Sequence, residues 1–405
     1  MFENKTVSTD GACFRIAGML TVVADGWIGA TSKQALSAAR RLCGMPLAAL
    51  ETLLLPFASG ALVWPGSGLF LRAQNGWPLS AQALPGLVCE QTFKPEFDSL
   101  ERSGLVVRSA SDESRYPLVL VLPPRQRDEA RALLARAIAR AAPGGIVVAS
   151  MANDAGARSG ESDLRRLAGP LHVVSKNKCR AFWTASPQGP VDSALATEWS
   201  MLDAPRLILD GRFLSRPGLF AWDRIDAASA LLAAALPNDL CGRGADLGAG
   251  YGYLAAEVLA RCPDVAMDLY EAEARALDLA RINLAAFASR GAARFHWHDV
   301  TAGVPERYDF IVTNPPFHAQ GRADRPDIGK DFIAAAADAL RPGGRLWLVA
   351  NRHLPYEAVL NANFGTTRIV AQQQGFKVIE AIKALSSTAH VTNRSDTPPR
   401  RKDER

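Results

Sequence analysis

Between residues 245 and 254 the chain reads ADLGAGYGYL. An acid, Asp246, is followed by glycines at 248, 250 and 252, and then by residues suited to a helix. Glycine frees φ and lets a ligand approach the main chain. The stretch therefore reads as a strand that turns sharply into a helix over an open loop. A dinucleotide loop would space its glycines as Gly-x-Gly-x-x-Gly; here they alternate. Several nucleotide-binding folds use such a turn, so the weight rests on the strands downstream of it. VAMDLY (265–270) is a second strand, and Glu271 comes directly after it. ARFHWHD (293–299) is a third and ends on Asp299. DFIVTN (309–314) is a fourth and runs into Asn314-Pro315-Pro316-Phe317. Open α/β sheets bind their ligands outside the carboxyl ends of the strands, where all these residues fall.

Helical periodicity fills the intervals, most clearly over 273–288. A fifth strand, RLWLVAN (345–351), is followed by RIVAQQ and FKVIEAIK, joined by a short link around Gly375. The expected fold is α/β, a mostly parallel seven-stranded sheet that ends in an antiparallel pair. The plan occurs twice. YPLVLVLPP (116–124), a helix and APGGIVVASMAN (142–153) match YDFIVTNPPF (308–317), a helix and RPGGRLWLVAN (341–351). Generic α/β design can produce such likeness, but duplication accounts for it better. The first copy has no acid-glycine strand exit, and Leu122 stands where the second has Asn314. It reads as a degenerate copy that serves as scaffold or substrate-binding domain.

The expected layout has an extension over 1–45, the degenerate domain over 46–190, a connector over 191–225, the catalytic domain over 226–384 and a disordered basic tail over 385–405. The extension is either an added segment or the product of a start upstream of Met45. In the connector, Phe220 and Trp222 either cover the edge of a ligand or pack into the core. Asp226 is expected to cap the helix beginning at residue 227.

With 405 residues, 48% hydrophobic and 21% charged, the chain is globular and has room for two domains. A formal charge of +5 suits a polyanionic partner without requiring one. Six cysteines stand singly, with no CxxC pair and no zinc spacing, so no metal is expected. No apolar run reaches the ~18–20 residues of a membrane span. The expectation is a cytoplasmic monomer with no membrane partner.

The strand ends fit S-adenosylmethionine beside a flat group that carries an amine. The glycines admit the amino-acid end and the sulfonium, whose positive charge Asp246 would favour. Glu271 is placed for the ribose hydroxyls and Asp299 for the adenine amine. Each of these acids also has a plainer role as a cap or loop carboxylate. An aromatic exocyclic amine is a poor nucleophile because its lone pair is delocalised into the ring. Asn314 and the Pro315 carbonyl can accept its two hydrogens, the prolines fix the turn, and Phe317 offers a stacking face. His318 either meets substrate or caps the turn. Arg352 after the fifth strand either contacts a backbone phosphate or a base of the substrate or plays a structural part. Lys176, Lys178 and Arg180 form a basic turn in a hairpin of the first domain, a further candidate substrate contact.

DLGAGYG (246–252), TNPPFHAQG (313–321) and PGGRLWLVANRHLPY (342–356) resemble the bacterial ribosomal RNA guanine-N2 methyltransferases of the 16S small-subunit type, whose large-subunit relatives share these signatures. The likeness extends to PFASGALVWPGSGLFLRA, TFKPEFDSLERSG and SKNKCRAFW in the first half. It implies a class I S-adenosylmethionine-dependent methyltransferase fold behind a degenerate copy that aids folding and substrate binding. It also implies methyl transfer to the N2 amine of a guanosine in ribosomal RNA, with the RNA or the small ribosomal subunit as partner. Cofactor residues carry over to Asp246, Gly248, Gly250, Glu271 and Asp299, and the amine clamp to Asn314, Pro315 and Phe317. The same Asn-Pro-Pro-aromatic device serves adenine N6 and glutamine amides, which remain alternatives. An inactive assembly factor is the rival outside catalysis.

Overall fold

The computed structural model describes residues 47–110, 113–185, 192–316 and 326–385. The first sheet comprises β1 (Gly68–Leu71), β2 (Leu87–Glu90), β3 (Val106–Arg108), β4 (Tyr116–Val121), β5 (Ala141–Ala152), β6 (Leu171–Lys176) and β7 (Cys179–Thr184). A small ribbon pairs β8 (Arg206–Ile208) with β9 (Phe213–Ser215). The second sheet comprises β10 (Arg243–Leu247), β11 (Ala266–Glu271), β12 (Ala293–Trp297), β13 (Tyr308–Thr313), β14 (Leu340–Asn351), β15 (Thr366–Gln373) and β16 (Phe376–Ile382). Their spatial orders are β3-β2-β1-β4-β5-β7-β6 and β12-β11-β10-β13-β14-β16-β15, the same path walked twice. In each sheet five strands run parallel and the last in sequence but one lies at the edge, antiparallel to its neighbour.

Burial on both faces explains the unbroken apolar strands. Leu118, Val119, Leu120 and Val121 are all inaccessible, as are Phe310, Ile311 and Val312 in the equivalent β13. One expectation is corrected. The helix expected over 273–288 divides at Leu284 into Ala274–Asn283 and Ala285–Ala288. Buried Leu284 leaves the first helix there and packs under the loop of residues 248–252.

The registers equate the copies residue by residue. Leu71 pairs with Glu90 and Val121 as Leu247 pairs with Tyr270 and Thr313. Gln91 thus corresponds to Glu271, and both grip the backbone around them. Gln91 Nε2 donates to the Ala73 carbonyl (2.6 Å) and Oε1 accepts from the Thr92 and Phe93 amides. Glu271 accepts from the Gly250 and Glu273 amides, both at 2.7 Å. Phe70 replaces Asp246, Arg72 replaces Gly248 and Leu122 replaces Asn314, so the first copy lacks the polar strand ends of the second.

The loops after β2 and β11 join the two domains. Phe93 and Glu273 form an antiparallel bridge, with the Lys94 amide donating to the Ala272 carbonyl (2.8 Å) and the Ala274 amide to that of Thr92 (2.9 Å). Trp297 Nε1 donates to both those carbonyls while its ring meets Phe97 edge-on. Arg275 spans the seam from Glu273 to the buried Glu129 of helix Arg127–Arg140. Removing one partner of a buried ion pair leaves the other charge unsolvated. Arg275→Ala should lower stability by about 3 kcal/mol, read as an earlier urea midpoint, and Arg275→Lys by less.

Candidate active site

The first and fourth strands of the second sheet, β10 and β13, lie side by side and end together. The Thr313 hydroxyl ties them by donating to the Leu247 carbonyl at 2.7 Å. Beyond them the chain turns through Gly248, Gly250 and Gly252, all at positive φ (76°, 56° and 93°). Their demands differ. A Cβ on Gly252 would run into Leu284 Cδ1, so close packing excludes a side chain there. A Cβ on Gly250 would meet nothing within 4 Å, so this residue serves the turn and leaves the loop open outward.

Asp246 is wholly buried beneath this loop. Its Oδ2 accepts from the amide of Ala255, in the first turn of helix Tyr253–Arg261 (3.1 Å), whereas Oδ1 has no partner. The capping reading is therefore correct for one oxygen and leaves the other for something else. Burial pushes this carboxyl up to about 7; the Ala255 amide opposes the shift and Glu271 adds to it. Glu271 holds the loop from the other side through the Gly250 amide, and burial raises its carboxyl against the pull of its backbone donors. It is not the cap of helix Ala274–Asn283; Glu273 fills that place. Asp299 caps the short turn Val300–Ala302, with Oδ1 accepting from the amide and hydroxyl of Thr301.

Asn314 follows β13 directly. Its Nδ2 donates to Asp226 Oδ2 (3.0 Å) and to Ser229 Oγ (2.8 Å), while its Oδ1 is buried with no partner. Asp226 also caps helix Ala227–Ala235 through the Ser229 amide at 2.9 Å. The sequence predicts that cap, but not its second contact or the part of Ser229. Pro315 is buried behind Asn314. Phe317 and His318 lie outside the described residues. The site thus holds two buried oxygens without a protein partner on neighbouring strand ends, a costly pattern that calls for an explanation.

The basic residues do not gather there. Lys176 and Lys178 are exposed around the β6–β7 turn, where Asn177 and Lys178 both take positive φ. Arg180 is half-buried and pairs with Glu161, and Lys176 lies 3.6 Å from Glu51. Arg352 is exposed just past β14. Phe220 does not enter the core, being 68% exposed, whereas Trp222 is partly buried under the Arg206 guanidinium. Among the described residues no cluster of three or more His, Cys, Asp or Glu could hold a metal ion.

Residues 210–380 match the Methyltransferase small domain. The chain is 30% identical over 285 residues to ribosomal RNA small subunit methyltransferase C of Photorhabdus laumondii, covering 69% of this chain and 80% of that protein. It belongs to the ribosomal RNA small subunit methyltransferase C family. The member from Psychromonas ingrahamii is 28% identical over 272 residues, 67% of this chain and 77% of its own length. Among solved structures, the chain is similar to the Thermus thermophilus 16S rRNA N2 G1207 methyltransferase in complex with AdoMet and guanosine. That likeness has a TM-score of 0.68 and 26% identity, and covers 84% of this chain and 93% of the other. Both sheets therefore fall within the family's fold, a class I methyltransferase domain behind a second domain of the same topology.

The raised Asp246 carboxyl makes a testable stability statement. Its folded value lies above the ordinary aspartate range, so the ligand-free protein loses stability as pH rises from about 4 through about 7. Asp246→Asn removes that titration. Its thermal midpoint should match the parent near pH 4 and exceed it by a margin that grows up to pH 7 and then stays level, as read by thermal denaturation across pH.

Proposed function

We propose that this chain transfers a methyl group from S-adenosylmethionine to the exocyclic N2 amine of a guanosine in 16S ribosomal RNA. The observation that carries the reading is the buried, unpaired Asn314 Oδ1 just past β13, the strand beside the one that leads into the glycine loop. The similar Thermus enzyme, whose structure holds AdoMet and guanosine, supports both ligands.

The residues fit the cofactor. Asp246 Oδ1, buried and without a donor, suits a cationic ligand, and the open space over Gly250 admits a close approach to the main chain. When bound, S-adenosylmethionine supplies an electrophilic methyl on a sulfonium. Gly248, Gly250 and Gly252 shape the cradle, Glu271 receives the ribose hydroxyls on the lone pairs its amide donors leave free, and Asp299 takes the adenine amine. Asn314 Oδ1 and the Pro315 carbonyl accept the two hydrogens of the substrate amine. Held so, the amine turns its lone pair out of the base plane, and placement carries much of the rate. The proton leaves once the nitrogen has become cationic, so no strongly basic side chain is required. Phe317 supplies the stacking face and His318 a further substrate contact.

Lys176, Lys178 and Arg180 in the first domain and Arg352 in the second are the proposed contacts to RNA phosphates. The first domain, without an acid-glycine strand exit, serves as scaffold and RNA-binding domain, and the chain works as a monomer on free RNA or the small subunit. Among the described residues no helix is long and apolar enough to cross a membrane.

Labelled methyl transfer to separated ribosomal subunits from cells lacking this gene should give N2-methylguanosine at one position of 16S RNA, read by mass spectrometry of nuclease digests. N6-methyladenosine in its place would overturn the guanine reading. Asn314→Ala should lower kcat by at least 100-fold, on the order expected for a lost transition-state contact, while calorimetric cofactor affinity stays within about twofold; equal loss of both would make Asn314 structural. Cofactor affinity should weaken as pH falls below about 7, because the proton that the buried Asp246 then holds must leave for the cation to bind. A flat affinity between pH 8 and 6 would exclude Asp246 from the cation site.

A further inference from the structure

We infer that Asp226 and Ser229 are positioning residues that fix which atom of the Asn314 amide faces the substrate. An asparagine amide is nearly symmetric in shape, and its two orientations differ only in which side donates and which accepts. At this site the difference decides activity. With Oδ1 inward, the amide accepts a hydrogen from the substrate amine. With Nδ2 inward, two donors would face each other and the amine would be repelled.

The surroundings select one orientation. Nδ2 donates at 3.0 Å to Asp226 Oδ2 and at 2.8 Å to Ser229 Oγ, which uses both of its hydrogens. A flipped amide would bring Oδ1 against the Asp226 carboxylate, two acceptors within hydrogen-bond distance. The carboxylate is itself held, because the same Oδ2 accepts from the Ser229 amide at 2.9 Å as the cap of helix Ala227–Ala235. That helix is anchored by Ala228, Leu232 and Ala233, all buried in one cluster with Trp347 and Val349 of β14. The orientation of one side-chain amide is thereby referred to the second sheet and not to a loop. A charged acceptor on Nδ2 also polarises the amide and strengthens Oδ1 as an acceptor. In this role both residues act through Asn314.

This inference rests on the methyl-transfer reading, and a double-mutant cycle separates the two. Asp226→Asn keeps a good helix cap but removes the charge and offers a competing amide. It should lower single-turnover methyl transfer about 10- to 100-fold, the rate equivalent of a hydrogen bond to a charged group. KM for the RNA and the calorimetric Kd for S-adenosylmethionine should stay within about twofold. Ser229→Ala should cost less, and Ser229→Thr, which keeps the hydroxyl, should restore most of the rate. In an Asn314→Ala background Asp226→Asn should change nothing further, because the group through which it acts is gone. A further loss of similar size in that background would overturn the positioning role. So would a fall in cofactor affinity matching the fall in rate, which would mark a merely structural residue. If Asp226→Asn does not fold, the Ser229 pair run through the same cycle decides the question. Should Asn314→Ala itself keep full activity, the methyl-transfer reading of the site fails, whatever Asp226 does.

Discussion

Asp246 is a carboxylate sealed beneath a glycine turn with a donor for only one of its oxygens. Everything around it is arranged to hold that unfavourable state. Helix Tyr253–Arg261 lends an amide, Glu271 fixes the loop overhead through Gly250, and Leu284 fills the space that a side chain on Gly252 would need. Glu271 in turn ends β11 just before the loop that meets the first domain, so the seam between domains begins one residue from a proposed cofactor contact. Below about pH 7 the buried carboxyl takes up a proton, and above it a cation would complete the site.

Much of this is legible in the chain. The second sheet follows from apolar runs broken at regular intervals, since strands buried on both faces need no alternation. The site residues are legible because class I chemistry places them directly at strand ends, where position in the sequence and position in space coincide. The features hidden from a sequence reading require two strands or two loops at once. The orientation of Asn314 depends on Asp226 and Ser229, which stand 88 and 85 residues away. The exposure of Phe220 depends on a connector with little periodicity to interpret. The break at Leu284 is masked because its apolar spacing continues smoothly across the end of the helix.

The correspondence of Gln91 with Glu271 is hidden for another reason. Glutamine and glutamate occupy nearly the same volume, and both pin the backbone beside them. They differ in sign at one atom: Gln91 donates with Nε2 where Glu271 accepts with Oε2. An amide there preserves the architecture and gives up the charge that would receive hydroxyls. With Arg72 at the place of Gly248 and Leu122 at that of Asn314, the first domain has residues that shape the sheet without those proposed to serve a ligand.

The bridge between Phe93 and Glu273 has a consequence for how such a chain arises. Equivalent residues of the two copies meet there, and each loop gives to the other what it takes, Lys94 to Ala272 and Ala274 to Thr92. A contact that maps onto itself when its partners are exchanged is the kind two identical subunits make across a dyad. Joined in one polypeptide, such a pair no longer depends on concentration to stay associated. One half of such a chain can then give up reacting groups while it still folds, holds its neighbour and meets a shared substrate.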